Sequence, residues 1–194
     1  MTMWPQSVIL YLWDAWIVSW ILAALWADRP TGRLDIRRQA LHWAITLVGF
    51  ALLLGVPADG RYGPGIHWEI SPAVGWALFG LSALGLGFCW YARIHLGRLW
   101  SASVTRKADH HIVESGPYGL VRHPIYTGLI GAAVATGVLR GTLIAVSGAV
   151  LVALGFWIKA RLEEQFLARE VGAQAYADYC RRVPMLVPFA SRRG

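Results

Sequence analysis

The chain has 194 residues, of which 56% are hydrophobic and only 15% charged, with a mean hydropathy of +0.46 and 11 tryptophans. A soluble domain carries about 25% charged residues, so this composition excludes one, and the abundance of indole suits the interfacial zone of a bilayer. The net charge of +7 does not point to nucleic acid, because the basic residues fall in the gaps between apolar runs instead of lining one element.

A helix needs about 20 residues to cross the hydrocarbon. Trp4 to Ala27 is predicted as a first span, although it carries Asp14. It is too long for the apolar core of a signal peptide and has no basic leader, so it reads as a membrane helix and not as a cleaved segment. The loop "DRPTGRLDIRR" follows, broken by Pro30 and Gly32. Gln39 to Pro57 is the second span, and the Gly/Pro-rich "ADGRYGPGIHWEI" turns the chain into a third, Ser71 to His95. The longest polar connection, Leu96 to His123, comes next.

Pro124 suits the first turn of a helix, and Ile125 to Leu139 is apolar. That run gives only about 22 Å of helix against about 30 Å of hydrocarbon. Arg140-Gly141 then turns the chain into Thr142 to Ile158, so the fourth and fifth runs form a close helical hairpin. Small residues at Gly128/Ala132 and Ala133/Gly137 allow helices to approach closely. The last run continues as the polar "KARLEEQFLAREVGAQAYADYCRRVP". There is no internal repeat and no low-complexity tract.

The expected fold is therefore all-α and polytopic, with about five spans, a C-terminal helical hairpin and a pocket on the cytoplasmic face. Residues 1–95 supply N-terminal membrane helices and residues 96–194 a loop, the helical hairpin and a C-terminal helix, within a single structural domain. Orientation follows from the cations. The first loop carries Arg29, Arg33, Arg37 and Arg38; the long loop carries Arg98, Arg106, Lys107 and Arg122. The tail carries Lys159, Arg161, Arg169, Arg181, Arg182, Arg192 and Arg193, whereas the two opposite turns carry only Arg61 and Arg140. An odd number of spans puts all three basic segments on one side, which the positive-inside rule makes cytoplasmic, with the N-terminus outside. The localisation expected is a bacterial-type inner membrane.

Polar chemistry gathers at that face. The hairpin brings the long loop beside the start of the tail, so His110, His111, Tyr118, Arg122, His123 and Tyr126 face Lys159, Arg161, Glu163 and Glu164. Charges at a membrane boundary are costly unless paired or hydrated, which favours a polar pocket; the plainer reading is interfacial snorkelling and salt bridging. Glu163 and Glu164 project about 100° apart on a helix. No Glu-x-x-His spacing supports a metal, and Cys89 and Cys180 match neither a disulfide nor a zinc pattern. Asp14 is expected between helices or at the outer interface, His42 as a hydrogen-bonded interfacial group, Cys89 as a small packing residue, and Trp100 as an interface anchor.

Two stretches, "LGRLWSASVTRKADHHIVESGPYGLVRHPIYTG" and "EEQFLAREVGAQAYADYCRRVPMLVP", resemble the isoprenylcysteine carboxyl methyltransferase family, whose wider clan includes phospholipid methyltransferases. The resemblance runs from Leu96 to Pro188. It implies a methyltransferase that uses S-adenosyl-L-methionine without a Rossmann domain, and no strand followed by G-x-G-x-x-G is present. By motif, the implied cofactor contacts are His110, His111, Ile112, Val113, Tyr118, Arg122, His123, Pro124, Tyr126, Glu163 and Glu164. The catalytic set implied is Lys159, Arg161 and Glu163. A cation one turn before the glutamate orients the acceptor carboxylate in the family; that position holds Lys159, with Arg161 close by, and either could serve. "GAQAY" is one residue longer than the commoner G-x-x-Y. The partners implied are a lipophilic membrane-borne substrate and membrane lipids, with no nucleic acid and no metal. The leading reading is carboxyl O-methylation of a prenylated cysteine or similar lipophilic acid. N-methylation of a phosphatidylethanolamine-like amine is the alternative reaction, and a non-catalytic membrane binding protein the alternative class.

Overall fold

Four helices begin on a proline, Pro5, Pro72, Pro117 and Pro124, the position where a missing N–H costs nothing and the ring pre-sets φ. The computed structural model describes residues 4–25, 32–33, 36–55, 66–97, 105–106 and 113–190. In chain order these form α1 (Pro5–Ala24), β1 (Gly32–Arg33), α2 (Ile36–Leu54), α3 (Pro72–Leu96), β2 (Thr105–Arg106), α4 (Pro117–Leu120), α5 (Pro124–Leu139), α6 (Leu143–Val171) and α7 (Ala173–Arg182). Apart from the two-residue ladder β1–β2, the regular structure among the described residues is helical. Among the described residues, three helices are long and apolar enough to cross a membrane, Pro5–Ala24, Pro72–Leu96 and Leu143–Glu170; two shorter apolar helices are Gln39–Leu54 and Pro124–Leu139.

The helices alternate in direction. Pro5, Gly75 and Leu139 meet, which places the starts of α1 and α3 beside the end of α5. At the same end Trp68 N–H donates to the Gly141 carbonyl (3.0 Å) and Leu143 N–H to Ile66 (3.2 Å), strapping the α2–α3 connection to the hairpin turn. Gly141 sits there at φ +67°, a left-handed conformation open to glycine. At the opposite end Gly32 pairs with Arg106 and Arg33 with Thr105, so the first loop lies against the long loop.

Inside, α3 packs on α5 and α2 on α6. The two small-residue pairs of α5 face different partners, which the hairpin reading does not distinguish. A Cβ on Gly128 would stand 2.5 Å from the Gly85 carbonyl and 2.7 Å from Cys89 Sγ, both of α3, whereas one on Gly137 would meet Ala149 of α6 at 3.1 Å. Buried polar groups link helices: Trp13 Nε1 donates to Thr136 Oγ1 (3.0 Å), which also contacts Ser82 Oγ (3.2 Å). Such bonds matter in an apolar medium, where an unmade one is expensive.

Of the two places expected for Asp14, between helices or at the outer interface, the first is corrected: it lies on the exposed face of α1. Gly172, at φ +103°, ends α6 and turns the chain into the C-terminal helix α7.

Candidate active site

The arginine-histidine pair is positioned by the chain's own tail. Arg122 N–H donates to the Pro184 carbonyl (2.8 Å) and His123 N–H to Met185 (3.1 Å), and Thr127 Oγ1 donates to Leu186 (2.7 Å). The Arg122 side chain repeats the link, giving Nη1 bonds to the carbonyls of Val183 (2.5 Å) and Cys180 (3.3 Å). Tyr179 of α7 donates its hydroxyl to the Tyr118 carbonyl at 2.8 Å. The start of α5 is thus clasped by α7 and the strap that follows it.

Across from this clasp stands α6. Arg122 reaches Glu164 Oε1 through Nε and Nη2, both at 2.7 Å. Tyr126 donates to Glu163 Oε1 at 2.6 Å. His123 lies between the two carboxylates, Nδ1 3.5 Å from Glu163 and Nε2 3.4 Å from Glu164. Its ring stacks on Tyr126, centroids 5.4 Å apart and planes 8° apart, and Tyr126 stacks in turn on Phe156 at 5.1 Å. Burial alone would lower the His123 pKa, but the adjoining carboxylates of Glu163 and Glu164 outweigh it and hold it above the ordinary value. For Arg122, burial is likewise overcome by the Glu164 charge, so its pKa is raised. Tyr118 is pushed up, first by burial and then by Glu163.

The two candidate cations part company. Lys159 is buried, its Nζ 5.1 Å from the Tyr126 ring centre and 5.8 Å from that of Trp43. Arg161 is exposed and covers Trp157, four residues back on the same helix. Lys159, Tyr126, His123, Arg122, Glu163 and Glu164 therefore form one cluster, with Pro124 at its N-terminal edge. Tyr118 stands next to it, 6.3 Å from the His95 ring, and His95 meets Ser115 Oγ at 2.9 Å. Val113 is half-buried at the entry to this segment. His110, His111, Ile112 and Trp100 lie outside the described residues. Arg93, near the end of α3, is buried, bonded to the Ala23 carbonyl and stacked on Trp20.

His42 departs from its expectation of a hydrogen-bonded interfacial group. It is 2% exposed, and its Nε2 has no hydrogen-bond partner. Sequence reasoning also missed the clasp: "RRVPMLVP" carries a family motif, but nothing in its spacing shows that its carbonyls hold Arg122 and His123. Among the described residues, no three His, Cys, Asp or Glu side chains come together as a metal site.

This geometry can be set beside known proteins. The model of the "Isoprenylcysteine carboxyl methyltransferase (ICMT) family" matches residues 78–169. Protein-S-isoprenylcysteine O-methyltransferase B of Arabidopsis thaliana is 32% identical over 157 residues, covering 77% of this chain and 75% of that protein. The chain belongs to the isoprenylcysteine carboxyl methyltransferase family. It is a membrane methyltransferase, and its reaction requires a methyl donor. Another relative, the cobalt-zinc-cadmium resistance protein CzcN of Cupriavidus metallidurans, is 34% identical over 110 residues; the match covers 54% of this chain and about half, 49%, of CzcN. The solved eukaryotic intramembrane Ras methyltransferase ICMT aligns with a TM-score of 0.49 at 22% identity, over 80% of this chain and 54% of that one. The family match spans α6 from its start to Arg169, and so includes every member of the cluster.

Proposed function

We propose that the protein is an S-adenosylmethionine-dependent methyltransferase that esterifies the carboxylate of a prenylated cysteine or similar lipophilic acid. The observation that carries this reading is the placement of Lys159, a buried cation over the ring of Tyr126, whose hydroxyl in turn binds Glu163. A cation for the acceptor thus adjoins a carboxylate and aromatic group suited to the donor.

The residues present fit the cofactor. S-adenosylmethionine supplies an electrophilic methyl group on a positively charged sulfur. Stacked rings at His123, Tyr126 and Tyr118 offer faces to a sulfonium, and Glu163 and Glu164 offer oxygens to amino and hydroxyl groups. His123 Nε2 is buried without a hydrogen bond, 3.4 Å from Glu164, and can serve a polar group of a ligand. Arg122 acts by holding Glu164 in place. A carboxylate acceptor needs no base, so Lys159 has only to orient it; correct placement alone can supply much of the rate.

The wider reading places this cluster at the inner leaflet of a bacterial-type inner membrane. Five spans, α1, α2, α3, α5 and α6, cross with the N-terminus outside, and residues 96–194 form the catalytic region. Alternation of helix direction and the placement of the basic loops at one end support it.

A labelled-methyl assay tests the function, with a farnesylcysteine analogue and a whole lipid extract side by side. Base-labile label on the analogue is expected. Label found only as base-stable N-methyl groups in lipid would replace this reading with amine methylation. Absence of heat on titration with S-adenosylhomocysteine would leave a non-catalytic binding protein.

A further inference from the structure

The packing of α2 on α6 fixes a register. Thr46 sits against Gly155, where an added Cβ would collide with its hydroxyl. A Cβ on Gly49 would stand 2.7 Å from the Val152 nitrogen, and one on Gly148 would stand 2.5 Å from the Leu53 nitrogen. These pairs step along the two antiparallel helices in alternating threes and fours, the spacing of a continuous helical seam. One turn beyond Thr46 on α2 is His42; one turn beyond Gly155 on α6 is Lys159. The seam therefore ends on a histidine facing a lysine. Both stand by the same indole, the His42 ring 5.3 Å from that of Trp43 and Lys159 Nζ 5.8 Å from it. The charged groups that act on His42 are Lys159 and Glu163.

A buried ring nitrogen without a hydrogen bond is costly and calls for a reason. We infer that His42 is a specificity-determining residue for the acceptor, its Nε2–H and the Lys159 ammonium together seating the acceptor's carboxylate. A carboxylate has two oxygens and accepts from both donors at once, whereas a protonated amine headgroup would meet only donors and a cation. Lys159 alone is a point charge without directional preference; a second donor on a different helix adds the geometry that an arginine would carry by itself. The site thus reaches beyond the family-matched residues 78–169 into α2. The inference rests on the carboxylate reading proposed above.

The test uses the full chain in detergent or nanodiscs, with a farnesylcysteine analogue as acceptor and its carboxamide as a competitive ligand. His42→Ala should raise the acceptor KM about tenfold, the loss of one hydrogen bond to a charged group. It should leave kcat and S-adenosylhomocysteine affinity within about twofold. His42→Gln, whose amide nitrogen can stand near the position of Nε2, should recover most of the KM. The carboxamide should bind wild type and His42→Ala equally. An unchanged KM, or a parallel fall in S-adenosylhomocysteine affinity, would overturn the role of His42 while leaving the reaction intact. Should His42→Ala fail to fold, a His42→Gln protein as impaired as one with His42→Phe would overturn it as well. Wild type forming no base-labile ester would instead remove the carboxylate reading, and the proposal with it.

Discussion

Tyr126 on α5 and Glu163 on α6 are joined by a 2.6 Å hydrogen bond that ties the short helix of the hairpin to the long one at the candidate site. The tyrosine ring also stacks with His123 and with Phe156 and has Lys159 Nζ 5.1 Å from its centre. One side chain therefore touches both Glu163 and Lys159, the carboxylate and the cation to which the proposal gives the donor and the acceptor.

Tyr126→Phe keeps the stack and removes only the hydroxyl. A buried carboxylate losing one donor costs about 1–3 kcal/mol. Isothermal titration should show S-adenosylhomocysteine affinity falling about tenfold or more, with the far-ultraviolet circular dichroism unchanged. Full affinity would mean that the bond does not position Glu163 for the ligand.

Lys159→Ala should impair acceptor turnover more than cofactor binding, because Lys159 Nζ stands over the ring of Tyr126, 5.1 Å from its centre, and is the cation proposed to orient the acceptor. Arg161→Ala, removing a cation that covers Trp157 at the surface, should leave both constants within about twofold. Steady-state kinetics of the two variants together decide which cation serves; equal losses would mean neither is dedicated to the acceptor.

Gly155→Ala and Gly148→Ala separate two kinds of close approach. Each overpacks the α2–α6 seam and should cost about 1–3 kcal/mol, read as a lower melting temperature. At Gly155 the nearest atom is the Thr46 hydroxyl, so Thr46→Ala should restore much of the loss. At Gly148 the obstacles are the Leu53 nitrogen and the Gly49 carbonyl, at 2.5 and 2.6 Å, which no side-chain change can move. Equal rescue at both positions would contradict the register.

Stability should depend on pH through His123. Glu163 and Glu164 raise its pKa in the folded chain above the unfolded value of about 6.5. The folded state thus favours the protonated ring, and the stabilisation is fully present below about pH 6.5 and lost as pH rises through the higher folded value. Melting curves of wild type and His123→Gln, recorded from pH 5 to 9 by about one-unit steps, should converge as the pH rises. A gap that widens with pH would reverse the sign.

The Arg122–Glu164 pair carries a further expectation. Glu164→Gln leaves the arginine guanidinium buried with weaker partners, and breaking a buried pair typically costs about 3–5 kcal/mol, with less expected where some water reaches it. Limited proteolysis should show residues 183–186 cleaved faster than in wild type. Unchanged cleavage would mean that the backbone bonds from Arg122 and His123 hold the strap unaided.

What the sequence made legible was whatever depends on local order. Apolar length marked the long helices, Pro124 marked the start of α5, and the spacing of Arg122-His123 and Glu163-Glu164 brought the two halves of the cluster together once the hairpin was recognised. Register between helices distant in the chain was not legible. Gly49, Gly148 and Gly155 are ordinary glycines in apolar runs until α2 is seen lying on α6, and His42 acquires meaning only from Lys159 opposite. Gly172 likewise gives no sign by composition alone of ending α6, since glycine inside a helical pattern is tolerated.

The clasp of Arg122 and His123 by Pro184 and Met185 has a consequence for biogenesis. A ribosome delivers the histidine long before it delivers the carbonyl that anchors it. Insertion into the bilayer can therefore be finished while the candidate site is still open, and a polypeptide released early, after Arg182, would be a threaded membrane resident whose Arg122 and His123 lack these anchors.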